Sequence, residues 1–560
     1  MVISSQGLQE HFEGQKRRTE EEDAKRRAQK LGYPYLDLIS TRVPTELKAM
    51  ELVAEAEARK ANLAPLQLIG KELVLAVLNP GQAETKAILE TLGKQFQTRV
   101  FIVSAVGLQH AWSHYQYISP KSKQITGSVE IGEKRIQEVY AAISSLGDFA
   151  SALQKFSGKT SELLEVILGG ALALRASDVH LEPAEAGGVL RLRVDGLLHS
   201  AYEAIDIQVY HSLITRIKLL SNLKLNISKE PQDGRFTIDL RGEDVEIRTS
   251  VIPSEYGEAI VLRILLPSAL QIDLEKLGFR EDDLKIIREQ ISRPNGLILN
   301  TGPTGSGKTT TLYAFLKRVY SPEIKVITIE DPIEYHLPGI SQTQINPDAR
   351  YTFASGLRSI LRQDPDVILV GEIRDRETAE IALNASLTGH LVFSTLHTND
   401  AVGAVPRLYD LGVKRQVLGP ALSLVIAQRL VRVLCPKCKQ AVRLDEDLKK
   451  NVSRFLEQLP DRVARERYKN FTIFQAGACE ACGQLGYKGR TSIFELFVVQ
   501  KRIEELIYTE PTEIEIAKFA RECGMVSMQE DGVLKVLAGV TSFEEVERLT
   551  GEIEWGSKTQ

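Results

Sequence analysis

The segment that most restricts the fold of this chain is Gly302-Pro303-Thr304-Gly305-Ser306-Gly307-Lys308-Thr309, which follows the apolar run Leu297-Ile298-Leu299. Glycines at this spacing let backbone N–H groups turn inward around phosphate oxygens. Lys308 can reach the β- and γ-phosphates of a nucleotide, and the Thr309 hydroxyl can ligate Mg²⁺. The pattern predicts a helix from Thr310 to Val319, whose positive dipole end faces the same anion. Residues Gly302 to Thr310 are therefore the expected ATP contacts. The guanine-recognition pattern Asn-Lys-x-Asp is absent.

Three later segments share this context. Val326-Ile327-Thr328-Ile329-Glu330-Asp331-Pro332-Ile333-Glu334 reads as a strand running into three carboxylates, placed where an open parallel sheet binds ligands. Glu330 and Glu334 are candidates to orient an attacking water, and Asp331 joins Thr309 as a candidate Mg²⁺ group. In Asp366-Val367-Ile368-Leu369-Val370-Gly371-Glu372 the strand ends in a variant Walker B motif, with Glu372 as the natural general base or water-positioner. His397 stands just past the strand Leu391-Val392-Phe393 and is either a γ-phosphate sensor or a structural histidine.

A length of 560 residues implies roughly three or four domains. The net charge of -4 supplies no general basic field for nucleic acid, and an aromatic fraction of 6% is thin for a base-stacking DNA motor. No apolar run approaches the roughly 18 residues that cross a bilayer, and Lys16 to Lys30 is a charge run rather than a signal sequence. These features predict a cytoplasmic protein that meets a membrane only through partners. The expected organisation is a small N-terminal α/β domain at 1–117, a linker and helix at 118–160, a second α/β domain at 161–268 and a motor domain at 269–560. The linker is placed at Ser119–Gly132 and one helical pattern at Ile136–Leu153. The short apolar strands of the motor alternate with helices, which predicts a parallel sheet covered on both faces.

Four of the five cysteines form two Cys-x-x-Cys pairs, Cys435/Cys438 and Cys479/Cys482, within a subdomain at 430–490. Two such turns can close a four-thiolate Zn²⁺ site of structural type. Cys523 reads as an ordinary buried residue.

The phosphate loop, the carboxylate strand, the variant Walker B and the His397 segment together resemble the Walker A, Asp box, Walker B and His box of the ATPases that power type II secretion and type IV pilus assembly. Ser177-Asp178-Val179-His180-Leu181-Glu182-Pro183 and Gln232-Asp233-Gly234-Arg235-Phe236 also resemble signatures of that family. The resemblance implies a homo-hexamer in which a PAS-like domain is joined to a RecA-like motor, with ATP between them. It also implies that Arg248 and Arg263 reach the phosphates from the first of these domains, the alternative being internal ion pairs. The tetracysteine element points to pilus assembly or secretion rather than retraction, and pilus assembly is the preferred expectation. The insert from about Leu444 to Tyr468 makes the cysteine pairs further apart than the family suggests. Leu31-Gly32-Tyr33-Pro34-Tyr35-Leu36-Asp37-Leu38 resembles the start of the family's N-terminal domain, which docks on an inner-membrane platform protein or a cytosolic adaptor. Some relatives bind cyclic di-GMP there, but the paired Arg-Leu-Gly-type motifs are not seen, and such binding is not expected.

Overall fold

The computed structural model describes residues 19–555 apart from 41–45, 51, 54, 70–71, 94–95, 118–132, 157–158, 241, 267–272 and 510. The expected linker at Ser119–Gly132 and the expected boundary at 268/269 lie outside the described residues. Residues 1–128 and 129–560 form two compact units.

In the first unit, β1 (Leu63–Ile69) pairs antiparallel with β2 (Glu72–Val77), which pairs parallel with β3 (Gln97–Ile102). Leu63, Leu66, Leu73, Leu75 and Val77 are fully buried, as half-apolar strands under a helix require. The helix Ala105–Ser113 covers them, and Trp112 Nε1 donates to the Leu63 carbonyl at 2.9 Å. A helix at residues 19–31 brings in Glu21, whose carboxylate accepts from Ser104 Oγ at 2.7 Å and Tyr35 OH at 2.5 Å.

The second unit begins with two helices, Glu133–Ala142 and Leu146–Gln154, where the periodicity predicts one. Ser145 accepts from Asp148 N at 3.1 Å, and Ser144 Oγ donates to Asp148 at 2.7 Å. This local capping outcompetes a continuous helix. Next comes an antiparallel sheet of β4 (Ala176–Ala184), β5 (Gly187–Val194), β6 (Leu197–Ile205), β7 (Gln232–Leu240), β8 (Glu243–Ser254) and β9 (Gly257–Leu265), in the order β6-β5-β4-β9-β8-β7. Its inner face packs on the helices Thr160–Ala173 and Ile207–Leu220. The outer face of β4 carries Asp178, which pairs with Arg263 Nε at 3.0 Å.

The motor sheet contains β10 (Gly296–Thr301), β11 (Val326–Glu330), β12 (Ser341–Gln344), β13 (Val367–Val370), β14 (Leu391–Leu396), β15 (Leu422–Leu434) and, beyond the short ribbon β16 (Gln440–Ala441) and β17 (Phe474–Gln475), β18 (Tyr487–Val498). The order is β12-β11-β13-β14-β10-β15-β18. Every residue of β10, β11, β13 and β14 is buried. Leu297 and Leu299 feed the core on one face and Ile298 the core on the other, so helices cover both sides, as continuous apolar strands predict. The edge departs from a wholly parallel sheet, because β18 runs antiparallel to β15.

The charged insert is part of this architecture. Its helix Glu446–Gln458, capped by Asp445, buries Val452, Phe455 and Leu456 against Val533, Leu534 and Leu537 of the helix Met528–Leu537. Beyond it Arg462 pairs with Asp282 and, at 2.7 Å, with the fully buried Asp283. Arg280, whose side chain is 6% exposed, binds Asp283 at 2.8 Å and Asp531 at 2.5 Å. Removing Arg280 leaves buried carboxylates short of a counter-charge. Arg280→Met is therefore expected to cost about 3–5 kcal/mol in urea unfolding. Arg288→Met, which breaks only the exposed pair with Glu275, should cost under about 1 kcal/mol.

Candidate nucleotide site and tetracysteine centre

Parallel pairing places the strand ends in one row. Ile329 lies opposite Val370, Val370 opposite Ser394, and Ser394 opposite Leu299. The residues that follow, Asp331, Glu372, His397 and Gly302, consequently gather at the carboxyl edge of the sheet, where α/β proteins bind ligands. Side chains hold this edge together. Thr395 Oγ1 donates to the Gly371 carbonyl at 2.7 Å, and Thr398 N donates to Thr301 Oγ1 at 2.8 Å.

The loop itself leaves β10 and enters the helix Lys308–Val319, whose N-cap Gly307 has φ +90° and offers no side-chain cap. The first N–H groups of that helix are thus left for an anion. Lys308 Nζ donates to the loop carbonyls of Gly302 at 2.7 Å and Pro303 at 3.0 Å. Burial lowers the Lys308 pKa, while Glu372 pulls it upward. Ser306 Oγ is buried without a hydrogen-bond partner. Exposed donors, an ammonium folded back on carbonyls and an orphaned hydroxyl fit a phosphate chain. Thr309 and Asp331 are exposed.

The candidate acids have distinct surroundings. Glu372 is nearly buried, pairs with Arg374, and lies 3.6 Å from His397 Nε2. Glu330 turns into the protein, accepting from Tyr313 OH, from Thr328 Oγ1 at 2.5 Å and from Gln342 Nε2 at 3.2 Å. Burial raises its pKa, and these donors oppose the rise. Glu334 pairs with Arg248 Nη1 at 3.0 Å, and Arg248 Nη2 donates to the Ile333 carbonyl at 3.2 Å. The six-stranded domain therefore touches the carboxylate segment through Arg248. Arg263 is instead engaged by Asp178, the internal pairing that the sequence left open. Arg374, Tyr313 and Gln428 had no role assigned from the sequence; Tyr313 and Gln428 were signalled as polar groups within a helix and an apolar strand, whereas Arg374, in the connection after β13, was not.

At the far end of β15 and β18 the four cysteines converge, with all four sulfurs within 4.8 Å of one another. Cys435–Cys479 and Cys438–Cys482 are 3.8 Å apart, and Cys479–Cys482 are 3.7 Å apart. A tetrahedral shell with Zn–S bonds of about 2.3 Å puts sulfurs about 3.8 Å from each other. Gly486 N also donates to Cys482 Sγ at 3.2 Å, an interaction that favours a thiolate ligand. The centre fits a closed four-coordinate metal with no open position. Cys523 is half-buried and apart from this group.

A family model described as "Type II/IV secretion system protein" matches residues 154–548. The chain belongs to this family. It is an ATPase of the secretion or pilus type, by the family match and by its relatives. A second model, described as "MshEN domain", matches residues 31–120. The chain is 48% identical over 390 residues to "Type II secretion system protein E" of Pseudomonas aeruginosa, covering 70% of this chain and 75% of that protein. It is 36% identical over 519 residues to "Type IV pilus assembly ATPase PilB" of Myxococcus xanthus, covering 92% of this chain and 88% of that protein. Among solved structures, the Legionella pneumophila ATPase DotB is similar with a TM-score of 0.51 at 22% identity, over 70% of this chain and 97% of that one, a likeness of fold alone. No helix among the described residues of this family member is long and apolar enough to cross a membrane.

Beside the nucleotide edge lies Glu495 of β18, 6% exposed, which accepts from Ala401 N at 2.8 Å and Met528 N at 3.2 Å. Burial pushes its pKa up to about 7. The folded state then keeps a proton that the unfolded chain loses near pH 4.5, so stability falls as pH rises from about 4.5 to about 7. Glu495→Gln should flatten this fall, worth up to about 3 kcal/mol, in unfolding midpoints measured from pH 5 to 7.5. An unchanged slope in the variant counts against it.

Proposed function

We propose that the chain is a hexameric Mg²⁺-ATPase whose hydrolysis cycle drives type IV pilus assembly at the inner membrane. The observation that carries this reading is the extent of the likeness to pilus assembly ATPases, which runs through 92% of the chain, N-terminal region included. The gathering of Gly302–Thr309, Asp331, Glu372 and His397 at one sheet edge supports hydrolysis there. In the proposed cycle Lys308 and the loop N–H groups hold the phosphates, and Thr309 with Asp331 holds Mg²⁺. Glu372 polarises the attacking water, and His397 senses the γ-phosphate. Glu330 supports the carboxylate segment from its buried position. Arg248 links that segment to the six-stranded domain. Arg263 joins the phosphates once it leaves Asp178, and closure of the domain on ATP provides the stroke. Zn²⁺ held by Cys435, Cys438, Cys479 and Cys482 braces the end of the β15–β18 ribbon. A ring of such subunits, docked through its N-terminal domain on a membrane platform protein or an adaptor, turns that partner. The subunits stay cytoplasmic and reach the membrane only through it.

The second reading is the type II secretion motor, favoured by the 48% identity over 390 residues. The two differ in client. Deleting the gene should abolish surface pili under the first reading and stop exoprotein release under the second. A chain of either kind should lose hydrolysis by at least 100-fold on Lys308→Ala or Glu372→Gln, measured by phosphate release. Full activity in either variant refutes the site. Metal analysis should find about one Zn²⁺ per chain, reduced in Cys435→Ser.

A further inference from the structure

Gln428 stands mid-strand on β15, 1% exposed, in a strand whose preceding residues are all buried. A buried amide must be satisfied or costs free energy, so its partners report what it is there to hold. Its Oε1 accepts from Asn300 Nδ2 at 3.0 Å and from Thr311 Oγ1 at 2.8 Å. Asn300 is two residues before the first loop glycine, and Thr311 is two residues after the last loop threonine. Both are fully buried. One oxygen thus ties the entry of the phosphate loop to its exit. On the other side, Gln428 Nε2 donates to Ser492 Oγ of β18 at 2.9 Å, which fixes the amide's orientation.

The loop also rests on this residue. A Cβ added to Gly302, at φ +142°, would lie 2.5 Å from the Gln428 carbonyl oxygen, and one added to Gly307 would lie 2.8 Å from its Nε2. At Gly302 the obstacle is the backbone of β15 together with Ser306, whatever side chain stands at 428, and only at Gly307 does the Gln428 side chain itself lie against the glycine. The span between Asn300 and Thr311 includes Lys308 and the N–H groups that face an anion. A change in the distance between those two anchors opens or closes the ring of donors.

We infer that Gln428 is a positioning residue for the nucleotide reaction: its side-chain oxygen, bound from both flanks, sets the aperture of the phosphate-binding loop. This inference rests on the assignment of Gly302–Thr309 as the nucleotide site, and it adds the strand residue that holds that site's shape. The residue touches no phosphate and acts through the loop. Its loss weakens nucleotide binding first, because the donors it arranges contact ground state and transition state alike.

The test uses the full chain with Mg²⁺ and ATP. Gln428→Met keeps the volume and removes all three hydrogen bonds. It should raise KM for ATP at least tenfold, with a parallel loss of affinity for a fluorescent ATP analogue, while kcat at saturation changes less than about threefold. Gln428→Glu keeps the shape and both accepted bonds but sets a carboxylate under the loop. Burial raises that carboxyl's pKa, and its protonation restores a neutral group that donates to Ser492. The ratio of its KM to the wild-type KM, taken at each pH, should therefore fall toward one between pH 8 and pH 6. Wild-type KM and affinity in Gln428→Met, with only a lower melting temperature, would overturn the inference. So would a KM ratio in Gln428→Glu that stays flat with pH. A loss of hydrolysis in Lys308→Ala alongside unaltered Gln428 variants would retain the nucleotide site and reject only this role.

Discussion

Parallel pairing of β11, β13, β14 and β10 in one register is the constraint on which the remaining structure depends. Because the strands are buried on both faces, a slip of one residue would move every side chain to the opposite core. The register is therefore held by the apolar cores, and the polar residues just beyond the strands inherit their positions from it. Asp331, Glu372 and His397 need no long-range contacts of their own to meet the phosphate loop. The Ser394 and Thr395 hydroxyls, which donate to the Val370 and Gly371 carbonyls, and the Thr301 hydroxyl, which accepts from Thr398 N, then join neighbouring strand ends.

The long β15–β18 ribbon extends this order outward. Its middle carries Gln428 and Ser492 beneath the loop, and its end carries the cysteines, with Leu434 opposite Tyr487. Near the same end Gly489 N donates to Asp195 of the six-stranded domain at 2.9 Å. That domain accordingly meets the motor through Asp195 at the ribbon and through Arg248 at the carboxylate segment. The insert between the cysteine pairs has a comparable structural part. Its helix and Arg462 tie the cysteine-bearing end to the C-terminal helices and to the buried Asp283.

The phosphate loop and the strands around it were legible because their signals are local: glycine spacing, short apolar runs and carboxylates at strand ends. The antiparallel edge was not. The β15 segment carries Gln428, Arg429 and Arg432, which break its apolar run, and its partner lies beyond the insert and both cysteine pairs. β4 was hidden in the same way, since Ser177, Asp178, His180 and Glu182 interrupt its apolar positions, with Asp178 and Glu182 held by Arg263 and Arg191 of the neighbouring strands. The helix expected over Ile136–Leu153 divides because Ser145 favours capping over helix propagation. Ion pairs between distant segments leave no periodic trace, so the family resemblance pointed to Arg248 and Arg263 without telling that Arg248 meets Glu334 and Arg263 meets Asp178. The cysteine spacing was readable, and the structure supplies the distances that fit a tetrahedral metal.

The claim that the six-stranded domain and the motor work as one catalytic unit is tested most directly by a double-mutant cycle. Arg248→Ala, Glu334→Ala and the double variant are compared in kcat/KM for ATP hydrolysis. If the pair acts as a unit, the single losses overlap, and the coupling energy is at least about 1 kcal/mol. Effects that add within about 0.3 kcal/mol would show two independent residues and contradict a shared site.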